Sequence, residues 1–305
     1  MEFQVTVLGA NSAAPAHGRN QTSQVVQMGS HVFLVDCGEG TQHQLRKFKV
    51  KFSKVGHIFI SHLHGDHYLG LMGIISTFHL NNRKHPLYIH GPKGLDEIIT
   101  LQLKYARTLL RFPLYFIPTD PGGQKELLDL PELKITSFPL LHRVPCTGFL
   151  FQEKTRNRKL IKEKIRDLEN NVEAIKTLSM GLDVRDDTGK VVYAVEDFCH
   201  PGNPPRKYAF CSDTIYHPEI IKYIQNVDLL YHEATFMEAE KLRAQQTFHS
   251  TAEQAARIAR DADVKQLLLG HYSTRYIDLY PLLWEAKNIF EPTMLGEEGN
   301  TYLIH

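Results

Sequence analysis

The stretch Ser61–Gly70, SHLHGDHYLG, places His62, His64, Asp66 and His67 within six residues. Directly before it runs VGHIFI, Val55–Ile60, which is short, β-branched and aromatic, as a buried strand is. Directly after it, YLGLMGIISTF has the apolar spacing of a buried helix. The four titratable groups therefore occupy a strand-to-helix corner, with Asp66 and His67 near the helix start, where backbone N–H groups favour an anion or a polarised ligand. One histidine is usually a surface or satisfied core residue. Four polar groups between two buried elements predict a metal site, and a chain that builds one on such a corner needs a sheet with helices packed on it.

The rest of the chain has that mixture. Strands are predicted at Phe3–Gly9, Ser23–Gly29 and His31–Gly38, and then at HPLYIHGP, LKITSFPLLH, KVVYAV, KYAFCSD, VDLLYHEA and VKQLLLGH. Helical stretches such as Gly94–Leu110 and Thr251–Ala262 lie between them. Three of the later strands end in metal-ligand residue types: His142, Asp213 and His271. Any one of these is more often an ordinary loop residue, but the coincidence of three predicts that the strand ends meet at one sheet edge. Seven candidate ligands exceed the four of one tetrahedral site, so two metals are expected, with the two oxygens of Asp213 as the bridge. Nitrogen-rich ligation favours Zn2+, two per chain, although mixed N/O sites also take manganese or cobalt.

These residues resemble the metallo-β-lactamase superfamily and, within it, the short-form ribonuclease Z family. HLHGDH at His62–His67 carries the superfamily signature. HEAT at His232–Thr235 and HST at His249–Thr251, with HYSTRY at His271–Tyr276, narrow it, and His142 and SDT at Ser212–Thr214 are further pieces of the match. The resemblance spans nearly the whole chain. It implies an α/β fold of the four-layer αββα type, a single domain over 1–305 with an inserted flexible arm at 153–190, and a homodimer. It also implies an endoribonuclease that removes the 3′ trailer of precursor tRNA. One metal would take His62, His64, His142 and Asp213, and the other Asp66, His67, Asp213 and His271. Two departures stand out: in PAHGRN, Arg19 and Asn20 match the family's basic loop but His17 replaces its lysine, and the insertion lacks the glycine-proline tip.

On this reading, metal-activated hydroxide attacks a phosphodiester, leaving a 3′-hydroxyl on the tRNA and a 5′-phosphate on the trailer. Asp66 either accepts the proton of the attacking water or serves only as a ligand. His249 is the candidate proton donor to the leaving oxygen, with Glu233 orienting and charging it, and His232 is expected to pack behind the ligands. Arg275, four residues after His271, holds a phosphate or braces its loop. His57, His79, His90, Cys37, Cys211, Met72, Met180, Phe78 and Tyr115 are expected to be structural.

With a formal net charge of +1 the chain has no global attraction for polyanions, so contact with tRNA must come from local patches. The candidate is the charge-dense segment Glu153–Lys190, where Lys154, Arg156, Arg158, Lys159, Lys162, Lys164 and Arg166 cluster. It is either a solvated helix face or a phosphate clamp, with Lys159, Lys162 and Arg166 as substrate-binding residues. Four cysteines without a C-x-x-C pair, no signal-like start and no apolar run of roughly 18 residues point to a cytoplasmic protein without a membrane span. The alternatives are a small-molecule phosphodiesterase or other hydrolase of the same fold and, against the full ligand set, a noncatalytic RNA-binding module.

Overall fold

The computed structural model describes residues 2–154, 158–168, 171–202 and 204–305; Arg156 of the basic cluster lies outside the described residues. The chain divides into two units: Met1–Leu127 with Ile135–Leu150 and Lys207–His305, and a smaller one of Leu128–Lys134 with Phe151–Arg206.

In chain order the strands are β1 (Phe3–Gly9), β2 (Ser23–Met28), β3 (His31–Cys37), β4 (Val55–Phe59), β5 (Leu87–Gly91) and β6 (Leu114–Pro118). β7 (Lys125–Asp129), β8 (Leu133–Leu140) and β9 (Cys146–Glu153) follow, and the short pair β10 (Val184–Arg185) and β11 (Val191–Tyr193) lies in the smaller unit. The last are β12 (Lys207–Cys211), β13 (Leu229–Glu233), β14 (Leu267–Gly270), β15 (Thr293–Leu295) and β16 (Thr301–Leu303). Two seven-stranded sheets result, ordered β16-β1-β2-β3-β4-β5-β6 and β15-β14-β13-β12-β9-β8-β7. β3 to β6 run parallel, as do β12 to β15, so in each sheet a row of C-terminal strand ends lies along one edge, the usual place for a site in parallel sheets.

Alternation along the strands builds the layers. In β4, Ile58 faces a cluster with Leu34 and Ile89, covered by Leu71, Ile74, Ile75 and Phe78 of the helix Leu71–Leu80. Its neighbour Phe59 faces the other way and meets Phe149 of β9 at 5.4 Å, while Phe210 and Tyr231 stack at 4.8 Å in the second sheet. Aromatic rings thus fill the space between the sheets, and helices cover the outer faces, the α/β sandwich expected. On the second sheet, Ala255, Ala256 and Ala259 of the helix Ala252–Asp261 are buried, and small side chains let that helix approach closely.

The corner after β4 differs from a simple helix start. A short helix, Gly65–Tyr68, ends before the helix Leu71–Leu80 begins. The break falls at Gly70, where a Cβ would lie 2.2 Å from the carbonyl oxygen of Gly38, so the chain can pass β3 only with glycine here. The helix expected over Gly94–Leu110 is shorter, Leu95–Tyr105.

In the smaller unit, the helix Val172–Ser179 is capped by Asn171, whose side chain accepts from the N–H of Ala174. Leu168, Leu178, Val195 and Cys199 form a small apolar cluster with Ile175, Tyr193 and Phe198 around it. Lys159, Lys162, Lys164 and Arg166 are exposed, and among the described residues none of the four makes an ion pair. Lys154 instead pairs with Asp129 at 2.5 Å, and Arg206 with buried Glu153 at 2.7 Å.

Candidate metal centre

All seven candidate ligands come together in the larger unit, but not at one sheet edge. His62, His64, Asp66 and His67 follow β4 of the first sheet, whereas His142, Asp213 and His271 follow β8, β12 and β14 of the second. The site is shared between the edges of two facing sheets. Sequence pattern assigns each strand its end, and only the pairing of the sheets decides which ends face each other.

Two groups of ligand atoms hold the expected residues, and a third brings His249 together with Asp213 and His271. His62 Nε2 lies 3.0 Å from His64 Nδ1, which lies 3.2 Å from His142 Nε2. Asp213 Oδ2 is 3.6 Å from the first of these and 3.8 Å from the last. In the second group Asp66 Oδ2 stands 3.5 Å from both His67 Nε2 and His271 Nε2, while Asp213 Oδ1 is 3.4 Å and 3.1 Å from them. Asp213 therefore turns one oxygen to each group.

The donor atoms fit a metal on an independent ground. His67 Nε2, Asp213 Oδ1 and His271 Nε2 are buried polar atoms with no hydrogen-bond partner. Leaving such a group unpaired costs about 1–3 kcal/mol, and three that converge on one point define a place for a cation. Burial disfavours charge on Asp213, but the surrounding histidines outweigh it and hold its carboxyl well below the usual range. For His62 burial is the leading effect, reinforced by the neighbouring imidazoles, and it stays neutral, the form that ligates.

Around these atoms lies a layer that sequence reasoning missed. Ser61 Oγ donates to Asp36 Oδ2 at 2.9 Å, so it accepts from His62 Nδ1 at 3.0 Å. Asp36 Oδ2 also takes His67 Nδ1 at 2.7 Å. Thr235 Oγ1 donates to Glu233 Oε2 at 2.7 Å and therefore accepts from His271 Nδ1 at 2.9 Å. The carbonyl of Phe248 accepts from His142 Nδ1 at 2.8 Å. Four of the candidate ligand imidazoles, those of His62, His67, His142 and His271, are thus fixed with Nδ1 protonated and Nε2 turned inward, the arrangement that suits a metal-binding histidine. The available signal was Asp36 itself, a carboxylate ending an apolar strand. Asp36 and His271 also hold the left-handed backbone, φ 52° and 57°, a strain found where surroundings over-determine a side chain.

His249 joins the site from another direction. It follows Phe248, whose φ of 58° ends the helix Lys241–Thr247, and precedes Thr251, whose capping box with Gln254 starts the next helix. Its Nδ1 lies 2.9 Å from buried Glu233 Oε1. Burial lowers its pKa, but the Glu233 carboxylate outweighs that and raises it to about 9. His232, on the opposite face of β13, hydrogen-bonds the Glu233 carbonyl at 2.7 Å.

The remaining candidates are placed differently. Arg19 is occupied by Asn11 Oδ1 at 2.8 Å and by the carbonyls of Tyr276 and Ile277, and both Asn20 nitrogens go to Glu298. His17 reaches the Thr274 carbonyl at 2.8 Å, so this loop braces the one after His271. Arg275 lines the pocket over the centre, lies over the Phe236 ring at 5.0 Å and pairs with Glu240 at 2.9 Å. Arg143 and Arg243, not anticipated from sequence, line the same pocket, and among the described residues neither guanidinium has an ion pair. Lys159, Lys162 and Arg166 belong to the smaller unit. His57 and His90 hydrogen-bond each other at 3.0 Å within the first sheet, and all four cysteines are free and buried.

Two family models match the chain: one described as anti-Pycsar protein Apyc1, over residues 3–155, and one described as a beta-lactamase superfamily domain, over residues 169–272. The ribonuclease Z of Bacteroides fragilis is 46% identical over 298 residues, 98% of either chain. That of Cytophaga hutchinsonii is 45% identical over 304 residues, 100% of this chain and 97% of the relative. Human tRNase Z, short form, superposes with a TM-score of 0.71 at 27% identity and covers 99% of both chains. The metallo-beta-lactamase fold protein YhfI from Bacillus subtilis gives a TM-score of 0.70 at 20% identity, covering 99% of this chain and 100% of its own, a likeness of fold.

Proposed function

The chain belongs to the ribonuclease Z family, the endoribonucleases that process the 3′ ends of precursor tRNA, and from that premise we propose how its own residues divide the work. The match to the anti-Pycsar model stops before Asp213, Glu233, His249 and His271, so the full-length relatives define the family. The observation that carries the proposal is Asp213, with one oxygen toward each ligand group.

His62, His64, His142 and Asp213 would hold one zinc ion, and Asp66, His67, Asp213 and His271 a second. When bound, such a pair supplies Lewis acidity toward phosphate oxygens and toward water. Asp66, fixed by the Ala13 N–H at 2.7 Å on Oδ2, takes up the proton of the attacking water as its oxygen bonds to phosphorus. The bond to the 3′-oxygen of the tRNA breaks, and His249 delivers a proton to that oxygen. Glu233 occupies Nδ1 of His249, which leaves Nε2 for the substrate. The tRNA departs with a 3′-hydroxyl and the trailer with a 5′-phosphate. Arg143, Arg243 and Arg275 surround the same pocket and supply positive charge where the RNA backbone passes.

The exposed Lys159, Lys162 and Arg166 of the inserted arm, 153–190, are the proposed clamp on tRNA. A cytoplasmic homodimer completes the reading; among the described residues no helix is long and apolar enough to cross a membrane. Incubation of the protein with a 3′-extended precursor tRNA, with and without chelator, tests it. Chelator-sensitive cleavage after the discriminator base, with a 3′-hydroxyl on the tRNA, is expected. Cleavage of bis(p-nitrophenyl) phosphate alone would assign the site to small esters.

A further inference from the structure

The segment Arg46–Lys54, RKFKVKFSK, places five cations in nine residues. Its apolar members Phe48, Val50 and Phe52 pack against the core of the first sheet, which turns Lys49 and Lys51 between them outward. Arg46 and Lys47 close the helix Thr41–Lys47, where cations answer the free carbonyls of a helix end. Lys49, Lys51 and Lys54 lie beyond that helix, all exposed, and among the described residues none of the three makes an ion pair. They line a groove of about 380 Å³ on the outer face of the first sheet, and no acid lines it. Its floor includes Gln4 and Thr6 of β1, Gln27 of β2 and Thr301 of β16. Three cations without a counter-charge, over amides and hydroxyls that donate hydrogen bonds, suit phosphate groups.

The groove ends a path that starts at the metal centre. The pocket over the centre is lined by Ser12, Ala13 and Ser273–Arg275, and the next depression, of about 510 Å³, by Gly18, Arg19 and Ile277–Tyr280 of the same two loops. Lys47 and Asn300 also line that depression, and their neighbours Phe48, Lys49, Gly299 and Thr301 line the groove. β1 gives the direction: Ala10, just past its end, lines the depression, Thr6 and Gln4 line the groove, and six extended residues span about 20 Å. The lysines therefore lie at the far end of the first sheet, since Lys54 directly precedes β4, whose other end leads to the ligands. Along the way the rings of Tyr280 and Trp284 stand 6.1 Å apart, 55% and 62% exposed. The acids of the depression are engaged: Glu298 by Asn20 and Gln44, Asp278 by the Tyr280 N–H at 2.9 Å, and Glu297 by Asn300 Nδ2 at 2.9 Å.

We propose that this surface is a track for a long single-stranded trailer, whose phosphates, well beyond the cut, reach Lys49, Lys51 and Lys54. The inference rests on the tRNA-processing reading above. Exposed rings followed by a basic groove are what a single strand needs, because unstacked bases lie on the rings while the backbone follows the charge. On the tRNA side only the nucleotides past the acceptor stem are unpaired, and they end at the cut. They cannot span the roughly 20 Å of β1, whereas a trailer starts at the cut and continues.

The test uses two precursors that share one tRNA body. One carries a dinucleotide trailer, and the other an unstructured trailer long enough to pass the roughly 20 Å of β1 and beyond. In wild type the long trailer should lower KM roughly tenfold relative to the short one, and this advantage should fade with salt. In the triple variant Lys49→Glu, Lys51→Glu, Lys54→Glu the advantage should disappear, while KM for the short precursor stays as in wild type. The slope of log affinity against log salt should fall by about 0.7 for each lost phosphate contact, on the long precursor alone. Metal content and thermal midpoint report whether the variant is folded, and the triple Gln variant, expected to change KM in the same direction, stands in if it is not. A second measurement needs no variant: 4-thiouridine toward the far end of the long trailer should crosslink wild type within Phe48–Lys54 or Gly299–Thr301. No advantage of the long trailer in wild type, an undiminished advantage in the folded variants, an equal rise of KM on both precursors, which would assign the groove to the tRNA body, or crosslinks elsewhere would each overturn the track. Failure of wild type to cut either precursor would instead overturn the tRNA-processing reading on which it rests.

Discussion

Asp213 turns a separate oxygen to each of the two ligand groups. Asp213→Ala should therefore abolish RNA cleavage and lower bound metal, measured by elemental analysis; close to two metals per chain in the inactive variant would remove its bridging role. Thr235 acts through His271, because its hydroxyl gives its proton to Glu233 and must accept from the imidazole. Thr235→Val should cost about 10- to 100-fold in metal affinity, the scale for removing a partner behind a metal ligand, with Thr235→Ser restoring most of it. His249→Ala should behave differently. Its ring is absent from both four-residue ligand sets, so metal should remain while turnover on RNA falls by roughly 10²-fold or more, as for a missing general acid. An ester with a good leaving group needs no such donor and should be spared; equal loss on both substrates would count against the role.

At the scale of the element, β4 and β5 carry a ladder of rings. His57 stacks on Tyr88 at 4.8 Å and His90 on Phe59 at 4.4 Å, and the two imidazoles hydrogen-bond each other. Burial is the leading cause that lowers His57 to about 4 and His90 to about 3. Both are neutral in the folded chain at pH values where the unfolded chain begins to bind protons, near 6.5. Their contribution to stability is complete above pH ~6.5 and declines as pH falls toward about 4 and about 3. Two protons set a ceiling of ~2.7 kcal/mol per pH unit on that decline. Urea midpoints of wild type and of the double variant His57→Phe, His90→Phe, followed from pH 7 to pH 5, should diverge because the variant lacks this part of the slope. Parallel curves would mean that the pair is not held neutral.

At the scale of the whole molecule the question is how a chain of net charge +1 grips a polyanion. Exposed Lys159, Lys162 and Arg166 have no acidic partner among the described residues, unlike Lys154 and Arg206, which are spent on Asp129 and Glu153. Reversing the three to Glu should raise KM for precursor tRNA. It should also reduce the slope of log affinity against log salt by roughly 0.7–0.9 for each phosphate that the variant no longer neutralises. Hydrolysis of bis(p-nitrophenyl) phosphate, followed alongside, reports on the centre itself. Unchanged cleavage at every salt concentration would leave the arm without a role in binding.

What the sequence determined by itself was local. The apolar run before His62 marks β4, each later strand end marks its ligand, and the apolar spacing of Thr251–Ala262 marks a helix, because strand and helix periodicity are decided by residues a few positions apart. The charge-rich segment after β9 is legible for the same reason. Tertiary structure decided which ends meet. Ligands predicted for one edge come from two sheets, since that depends on how the aromatic faces around Phe59 and Phe149 pack, a contact between residues far apart in sequence. It also decided what Asp36, Ser61 and Thr235 do, and that Arg19 braces a loop while Arg143 and Arg243 line the pocket. A hydroxyl or guanidinium has the same local pattern whether it turns to solvent, backbone or ligand, and its partner is set only when distant strands bring one within about 3 Å.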